Sequence, residues 1–131
     1  MNTITLAQEV GFTEQDAKRI AEAGYDLLNA GQLEAAADVF KGLLALNPHD
    51  ALVHTAYGMV LQEQGDESSA VREFDSALDE DPKMAVALLN RGILKLKRGN
   101  VAGLEDLEAV TPLKTSVGER AREIVKAFAQ R

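Results

Sequence analysis

The sequence contains no cysteine and no tryptophan, and only 5% of its 131 residues are aromatic. The absence of cysteine excludes disulfide bonds and thiolate metal sites. Because aromatic side chains are scarce, most of the apolar content must come from smaller residues, and alanine and leucine are the most prominent of these. Such side chains suit helices that pack against one another at close range.

Basic residues are in deficit, with 14 Lys and Arg against 21 Asp and Glu, a net charge of −7 and a pI near 4.8. Binding to nucleic acid or to an anionic membrane surface needs an excess of positive charge, so we expect neither partner. No apolar run approaches the ~18 residues of a membrane span. Residues 1–11 lack the basic and apolar pattern of a secretory signal. The expected location is therefore the cytoplasm.

The sequence also lacks the constellations that carry catalysis. His49 and His54 are the only histidines, and we expect both to be exposed turn residues without a third metal ligand. The acidic run at residues 79–81 is typical of a solvated turn. No Ser/His/acid set, Cys/His set or phosphate-binding loop is present. We therefore predict that the protein is not an enzyme and holds neither a cofactor nor a metal.

What the sequence does contain is a repeat of 34 residues. When residues 20–48 are aligned above residues 54–82, like residues coincide: Gly24 over Gly58, Leu27 over Leu61, Gly31 over Gly65, Ala36 over Ala70, Phe40 over Phe74 and Pro48 over Pro82. A third copy begins in the same register with Leu88, Gly92 and Gly99.

The apolar spacing within each copy predicts two helices separated by a glycine turn. Thr13 is a predicted N-cap, and the Asn47-Pro48 and Asp81-Pro82 pairs should end the second helix of each copy. The expected helices cover about 14–30, 33–46, 51–64, 67–80 and 85–98. The second helix of the third copy, about 101–110, departs from the pattern: Leu104 and Glu108 replace the alanine and phenylalanine, and Pro112 comes four residues early.

The chain ends in a segment with an amphipathic pattern. Ser116 and Glu119 have the spacing of a capping box, and an apolar stripe follows at Val117, Ala121, Ile124, Val125 and Phe128. We expect this helix to cover one end of the structure. A short N-terminal turn, Thr5–Val10, is expected to cover the other end, with Phe12 as a packing anchor.

The 34-residue period with these glycine, alanine, phenylalanine and proline positions resembles the tetratricopeptide repeat (TPR). The resemblance implies an all-α fold, a right-handed α-solenoid of about three helix pairs, closed here by the C-terminal capping helix. The expected units are an N-terminal extension (1–16), three repeats (17–50, 51–84 and a divergent 85–115) and the cap (116–131). It also implies that the small residues let paired helices approach closely and that Phe40 and Phe74 fill the space between repeats.

In TPR proteins, the first helix of each repeat lines a concave groove in which partners bind. The matching positions here are unusually apolar, which favours a binding surface. The expected groove residues are Tyr25, Leu28, Asn29, Leu52, Thr55, Met59, Gln62, Val86, Leu89, Asn90 and Ile93. An alternative for Leu89, Ile93 and Leu96 is packing beneath the C-terminal helix or against a sister subunit.

One subtype of the family does not fit. The carboxylate clamp of heat-shock co-chaperones needs Lys and Asn at positions that hold Ala21, Tyr25, Ala56 and Val86 here, and Arg at the position of Asn90. The stretch from Tyr25 to Ala36, with Tyr57-Gly58 in the next repeat, is instead similar to the TPR chaperones of bacterial type III secretion, which hold segments of secreted proteins.

These resemblances imply a protein-interaction module, adaptor-like or chaperone-like, that binds an extended or helical segment of another protein. The alternative is a structural subunit that uses the groove and the C-terminal helix for homo-oligomerisation, for example as a homodimer, or for assembly into a complex.

Overall fold

The computed structural model describes residues 5–130, so residues 1–4 of the expected N-terminal extension and Arg131 of the expected cap lie outside the described residues. The helices of residues 5–130 are α1 (Leu6–Glu9), α2 (Glu14–Asn29), α3 (Leu33–Leu46), α4 (Ala51–Glu63), α5 (Glu67–Glu80), α6 (Ala85–Lys97), α7 (Gly103–Val110) and α8 (Ser116–Ala129). From α2 onward each helix packs against the next, and α2, α4, α6 and α8 also form a row of neighbours. This all-helical solenoid confirms the predicted fold class.

The turns inside the three helix pairs share one backbone conformation. Gly31, Gly65 and Gly99 have φ angles of 76°, 83° and 80°, in the left-handed region that side chains with a Cβ disfavour. In each case the following residue donates its N–H to a carbonyl of the preceding helix, as Gln32 does to Leu27 at 2.9 Å. These bonds satisfy carbonyls at the helix end that would otherwise lack a partner. The predicted glycine turns are therefore confirmed.

Within the first two pairs, a glycine on one helix faces a phenylalanine on the other. A Cβ placed on Gly24 would lie 2.7 Å from Cζ of Phe40, and one on Gly58 would lie 2.6 Å from Cε1 of Phe74. Both rings are fully buried. The glycines thus leave the space that the rings occupy, which confirms why small residues recur at these positions.

The third pair keeps this arrangement with its second helix shifted by one residue. Leu107, which is fully buried, takes the position over Gly92 that the phenylalanines take over Gly24 and Gly58. Gly103 faces Gly92 where an alanine stands in the other pairs. The sequence alignment had placed Leu104 and Glu108 at these points. Helix α7 begins two residues later than predicted, at Gly103, and its buried face falls on Gly103 and Leu107 instead.

Helix α8 packs against α7 and α6 as the predicted cap at the end of the solenoid. Ala121 is fully buried, and Val117, Ile124 and Val125 pack against the core that contains Leu107. The predicted capping box at Ser116 is wrong, because Thr115 is the N-cap and its hydroxyl accepts the Gly118 N–H at 3.3 Å. Ser116 is the first helical residue, so its own side chain cannot serve as the N-cap.

The expectation that both histidines are exposed is wrong for His54. Its ring lies on α4 with a side chain only 13% exposed, 2.9 Å from Oε2 of Glu73 on α5. Its Nε2 donates to the carbonyl oxygen of Pro48 at 2.7 Å. His49 is 62% exposed and contacts Glu80 at 2.9 Å. His54 therefore joins the loop after the first repeat to the second helix of the next one.

We expect Gly58→Ala to lower the free energy of unfolding by about 1–3 kcal/mol, because the new methyl group overlaps the buried Phe74 ring. Gly42→Ala is the matched control, since a Cβ there meets no atom within 4 Å and alanine favours the helix by about 0.5–1 kcal/mol. Urea denaturation measures both changes. If the two substitutions altered stability in the same direction, the close-contact explanation would be wrong.

We expect Ala121→Glu to lower the free energy of unfolding by about 3 kcal/mol or more, because a carboxylate would be placed in the closed interface between α8 and the core. Ala127→Glu lies on the exposed side of the same helix and should change stability by less than about 0.5 kcal/mol. Thermal unfolding compares the two variants. Equal stability would show that α8 does not act as a cap.

We expect His54→Ala to lower the free energy of unfolding by about 1–3 kcal/mol, because it removes two hydrogen-bonded contacts from a largely buried position. The same change at the exposed His49 should cost less than about 1 kcal/mol. Urea titrations at pH 7 give the comparison. A larger loss at His49 would contradict the role assigned to His54.

Candidate protein-binding groove

The expected groove residues lie on α2, α4 and α6, the first helices of the three pairs. Asn29 and Leu52 are exposed, and Leu52 stands out with 62% of its surface accessible. Half-buried side chains make up most of the rest: Tyr25, Leu28, Met59, Gln62, Val86, Leu89, Asn90 and Ile93. Most of the surface is therefore partly accessible, and its apolar members are Tyr25, Leu28, Leu52, Met59, Val86, Leu89 and Ile93.

Thr55 does not belong to the accessible surface. Its side chain is only 4% exposed, and its hydroxyl donates to the Ala51 carbonyl at 2.8 Å within the same helix. The Asn90 amide is also engaged, since it donates to the Val86 carbonyl at 2.9 Å. The accessible part of this surface is therefore mainly apolar.

The apolar residues of the third repeat divide their surface between the core and the solvent. Leu89, Ile93 and Leu96 are half-buried and pack against the core cluster that α8 also covers, as does Met59 of the second repeat. This packing agrees with the alternative that third-repeat residues support the C-terminal end. The more open part of the groove lies towards the first repeat.

At that end, a cavity of about 670 Å³ opens between the first four helices. Its walls are α1, the first half of α2, the end of α3 and the start of α4. The lining residues are Thr5, Ala7, Gln8, Phe12, Thr13, Glu14, Ala17, Lys18, Ala21, Glu22, Tyr25, Leu43, Leu46, Asn47, Asp50, Leu52 and Val53. Of the expected groove residues, only Tyr25 and Leu52 line it.

Local hydrogen bonds hold the outer wall of the cavity. Thr5 and Gln8 form a reciprocal capping box at the start of α1. After α1 the chain reverses at Gly11, with φ of 73°, and the Phe12 N–H donates to the Ala7 carbonyl at 2.8 Å. This turn brings Phe12 to the cavity. Helix α1 contacts α3, and Ile20 on α2 stays 39% exposed. Helix α1 therefore forms a wall of the cavity and does not cover the apolar residue Ile20 of α2.

Tyr25 lines the cavity and is half-buried. Its ring packs edge-to-face on Phe40, with centroids 5.4 Å apart and planes at 64°. Burial, and secondly the negative charge of Asp50, raises the pKa of the Tyr25 phenol above its usual value. The phenol therefore stays neutral at physiological pH and can offer its O–H as a donor.

The rim of the cavity carries three acidic side chains and one basic one. Glu14, Lys18 and Glu22 follow at intervals of four on α2, and Asp50 caps α4 through the Val53 N–H. Within residues 5–130, neither glutamate forms an ion pair. Acidic residues outnumber basic ones about three to one in residues 1–90, whereas basic residues are in excess beyond. The cavity therefore lies in the acidic part of the chain.

Sequence reasoning assigned most of this cavity to the scaffold. The sequence predicts only a packing role for Phe12, and its pattern does not indicate that the end of α3 or Asp50 belongs to a site. The sequence feature that points to the end of α3 is its large apolar residues, Leu43 and Leu46, which continue to the last residue of the helix. That signal alone does not distinguish a core position from a cavity wall.

Residues 22–85 match the family model of the tetratricopeptide repeat. Together with the 34-residue period and the stacked helix pairs, this match shows that the chain contains tetratricopeptide repeats within residues 22–85.

The chain is 45% identical over 64 residues to the cellulose synthase operon protein C of Komagataeibacter sucrofermentans. That stretch is 49% of this chain and 5% of the relative, so the chain spans a small fraction of the curated relatives it matches. The identical residues lie in the repeats, so this similarity does not assign an activity of the relative to this chain.

Solved structures of similar fold cover a larger share of the chain than these relatives do. The type III secretion translocator chaperone SycD of Yersinia enterocolitica has a TM-score of 0.85 and 18% identity, covering 96% of this chain and 99% of that one. SycD in complex with a peptide of the translocator YopD has a TM-score of 0.78 and 17% identity, covering 90% and 95%. At this identity the likeness shows a shared fold.

None of the helices between Thr5 and Gln130 has the length and apolar character that a membrane span requires. Over the same residues, His, Asp and Glu side chains form no cluster of three or more suited to a metal ion.

Proposed function

We propose that this chain is a protein-interaction module, adaptor-like or chaperone-like, that holds a segment of a partner protein along α2, α4 and α6. The observation that carries the proposal is the open cavity at the first repeat, with Tyr25 and the exposed Leu52 on its lining. Concave apolar surfaces with a few polar groups are the usual form of binding sites. The cytoplasmic location remains part of this proposal.

The remaining groove supports the same function. Met59 and Ile93 offer partly accessible apolar surface on the neighbouring helices, and the unbranched methionine side chain adapts to varied partners. The SycD structure with a YopD peptide is an example of the fold holding a segment of another protein. The alternative, a subunit that uses this face for self-association, leads to a different experimental result.

The test is a display selection of random 12-residue peptides on the immobilised chain, followed by affinity measurements. We expect Leu52→Glu to weaken the binding of selected peptides about tenfold or more, because a carboxylate replaces exposed apolar contact area. Its stability should be unchanged. Val101→Glu is the matched control, since Val101 is similarly exposed, at 65%, in the turn before α7.

A selection that yields no binding peptides, or peptides that ignore Leu52→Glu, would contradict this proposal. Sedimentation over a range of protein concentrations distinguishes the proposed function from the alternative, self-association. A concentration-dependent dimer that Leu52→Glu dissociates would assign the face to self-association instead.

A further inference from the structure

We propose that the cavity between α1, α2, α3 and α4 receives one large apolar side chain of the partner segment, and that its rim selects a lysine or arginine beside that anchor. This inference rests on the proposed function and specifies the chemistry of the partner. It commits to a peptide segment with an apolar anchor and a neighbouring basic residue.

The interior of the cavity accounts for the anchor. Its apolar lining comes from all four helices and the turn after α1: Ala7, Phe12, Ala17, Ala21, Leu43, Leu46, Leu52 and Val53. A volume of about 670 Å³ is within the range of sites that enclose a small ligand. Placing an aliphatic or aromatic side chain there removes apolar surface from water on both partners.

The rim accounts for the basic neighbour. Glu14 and Glu22 are exposed on α2, and within residues 5–130 neither is held by a basic side chain of the chain itself. Lys18 lies between them and offsets one negative charge. The Asp50 carboxylate faces the cavity from α4 and is close enough to Tyr25 to raise the pKa of its phenol.

The surrounding charge strengthens the same preference. Residues 1–90 carry about three acidic residues for each basic one, so the field near the cavity attracts cations and opposes an acidic segment. The basic residues beyond residue 90 are largely engaged elsewhere, as Arg91 is with Asp75 and Asp106. Electrostatic attraction therefore favours the binding of a positively charged partner residue at the first repeat.

The experiment uses the full chain and the same random 12-residue peptide library. We expect selected peptides to be enriched in Leu, Ile, Met or Phe with Lys or Arg within two positions. For the tightest selected peptide, the double variant Glu14→Gln/Glu22→Gln should weaken binding about threefold or more, because two rim charges are removed. The control Glu105→Gln/Glu108→Gln, on exposed residues of α7, should change it by less than about 1.5-fold.

The outcomes separate this inference from the function on which it rests. Selected peptides with apolar anchors and no basic enrichment, or with equal affinity for both double variants, would overturn the rim's role and leave the binding function intact. Peptides enriched in acidic residues would overturn it in the same way. Failure to select any peptide, or binding that ignores Leu52→Glu, would overturn both.

Discussion

The contact between a glycine on one helix and a large side chain on its partner is the constraint on which the solenoid depends. Gly24 and Gly58 remove the Cβ atoms that would overlap the rings of Phe40 and Phe74. The two helices of each pair can then lie close enough to bury those rings completely. The buried faces of successive pairs join into two core clusters, and Tyr57 packs against both of them. The row of first helices that forms the groove therefore follows from this packing.

Much of the fold could be predicted because its determinants are local and repeated. Glycine turns and Xaa-Pro pairs mark the helix ends, so α3 and α5 have the predicted bounds. The third pair was harder, because a one-residue shift of its buried face leaves the amino-acid types plausible in either register. Thr115 and Ser116 present the same difficulty, since adjacent hydroxyl residues can both cap a helix, and the packing of α8 determines which one does.

The candidate site was only partly predictable, because it is assembled from residues far apart in the chain. Tyr25 and Leu52 follow from their repeat positions, but their cavity also needs Phe12 and the end of α3. Periodicity identifies the apolar face of a helix and cannot show whether a neighbour fills the space beside it. For the same reason Thr55 is buried although its place in the repeat predicts a groove residue. His54 likewise packs against Glu73, which lies 19 residues further along the chain on the next helix.

The tight approach of Gly92 and Gly103 in the third pair also has a consequence for local motion. Their backbones meet directly, with Leu107 packed beside them, so we expect amide hydrogens in the middle of α6 and α7 to exchange slowly with solvent. Helix α1 contacts only α3 among the helices of residues 5–130, and a cavity separates it from the first half of α2. Its amides can exchange through a small local opening. We therefore expect rigidity to be graded along the solenoid, with the end where we propose that the partner binds opening more readily than the other end.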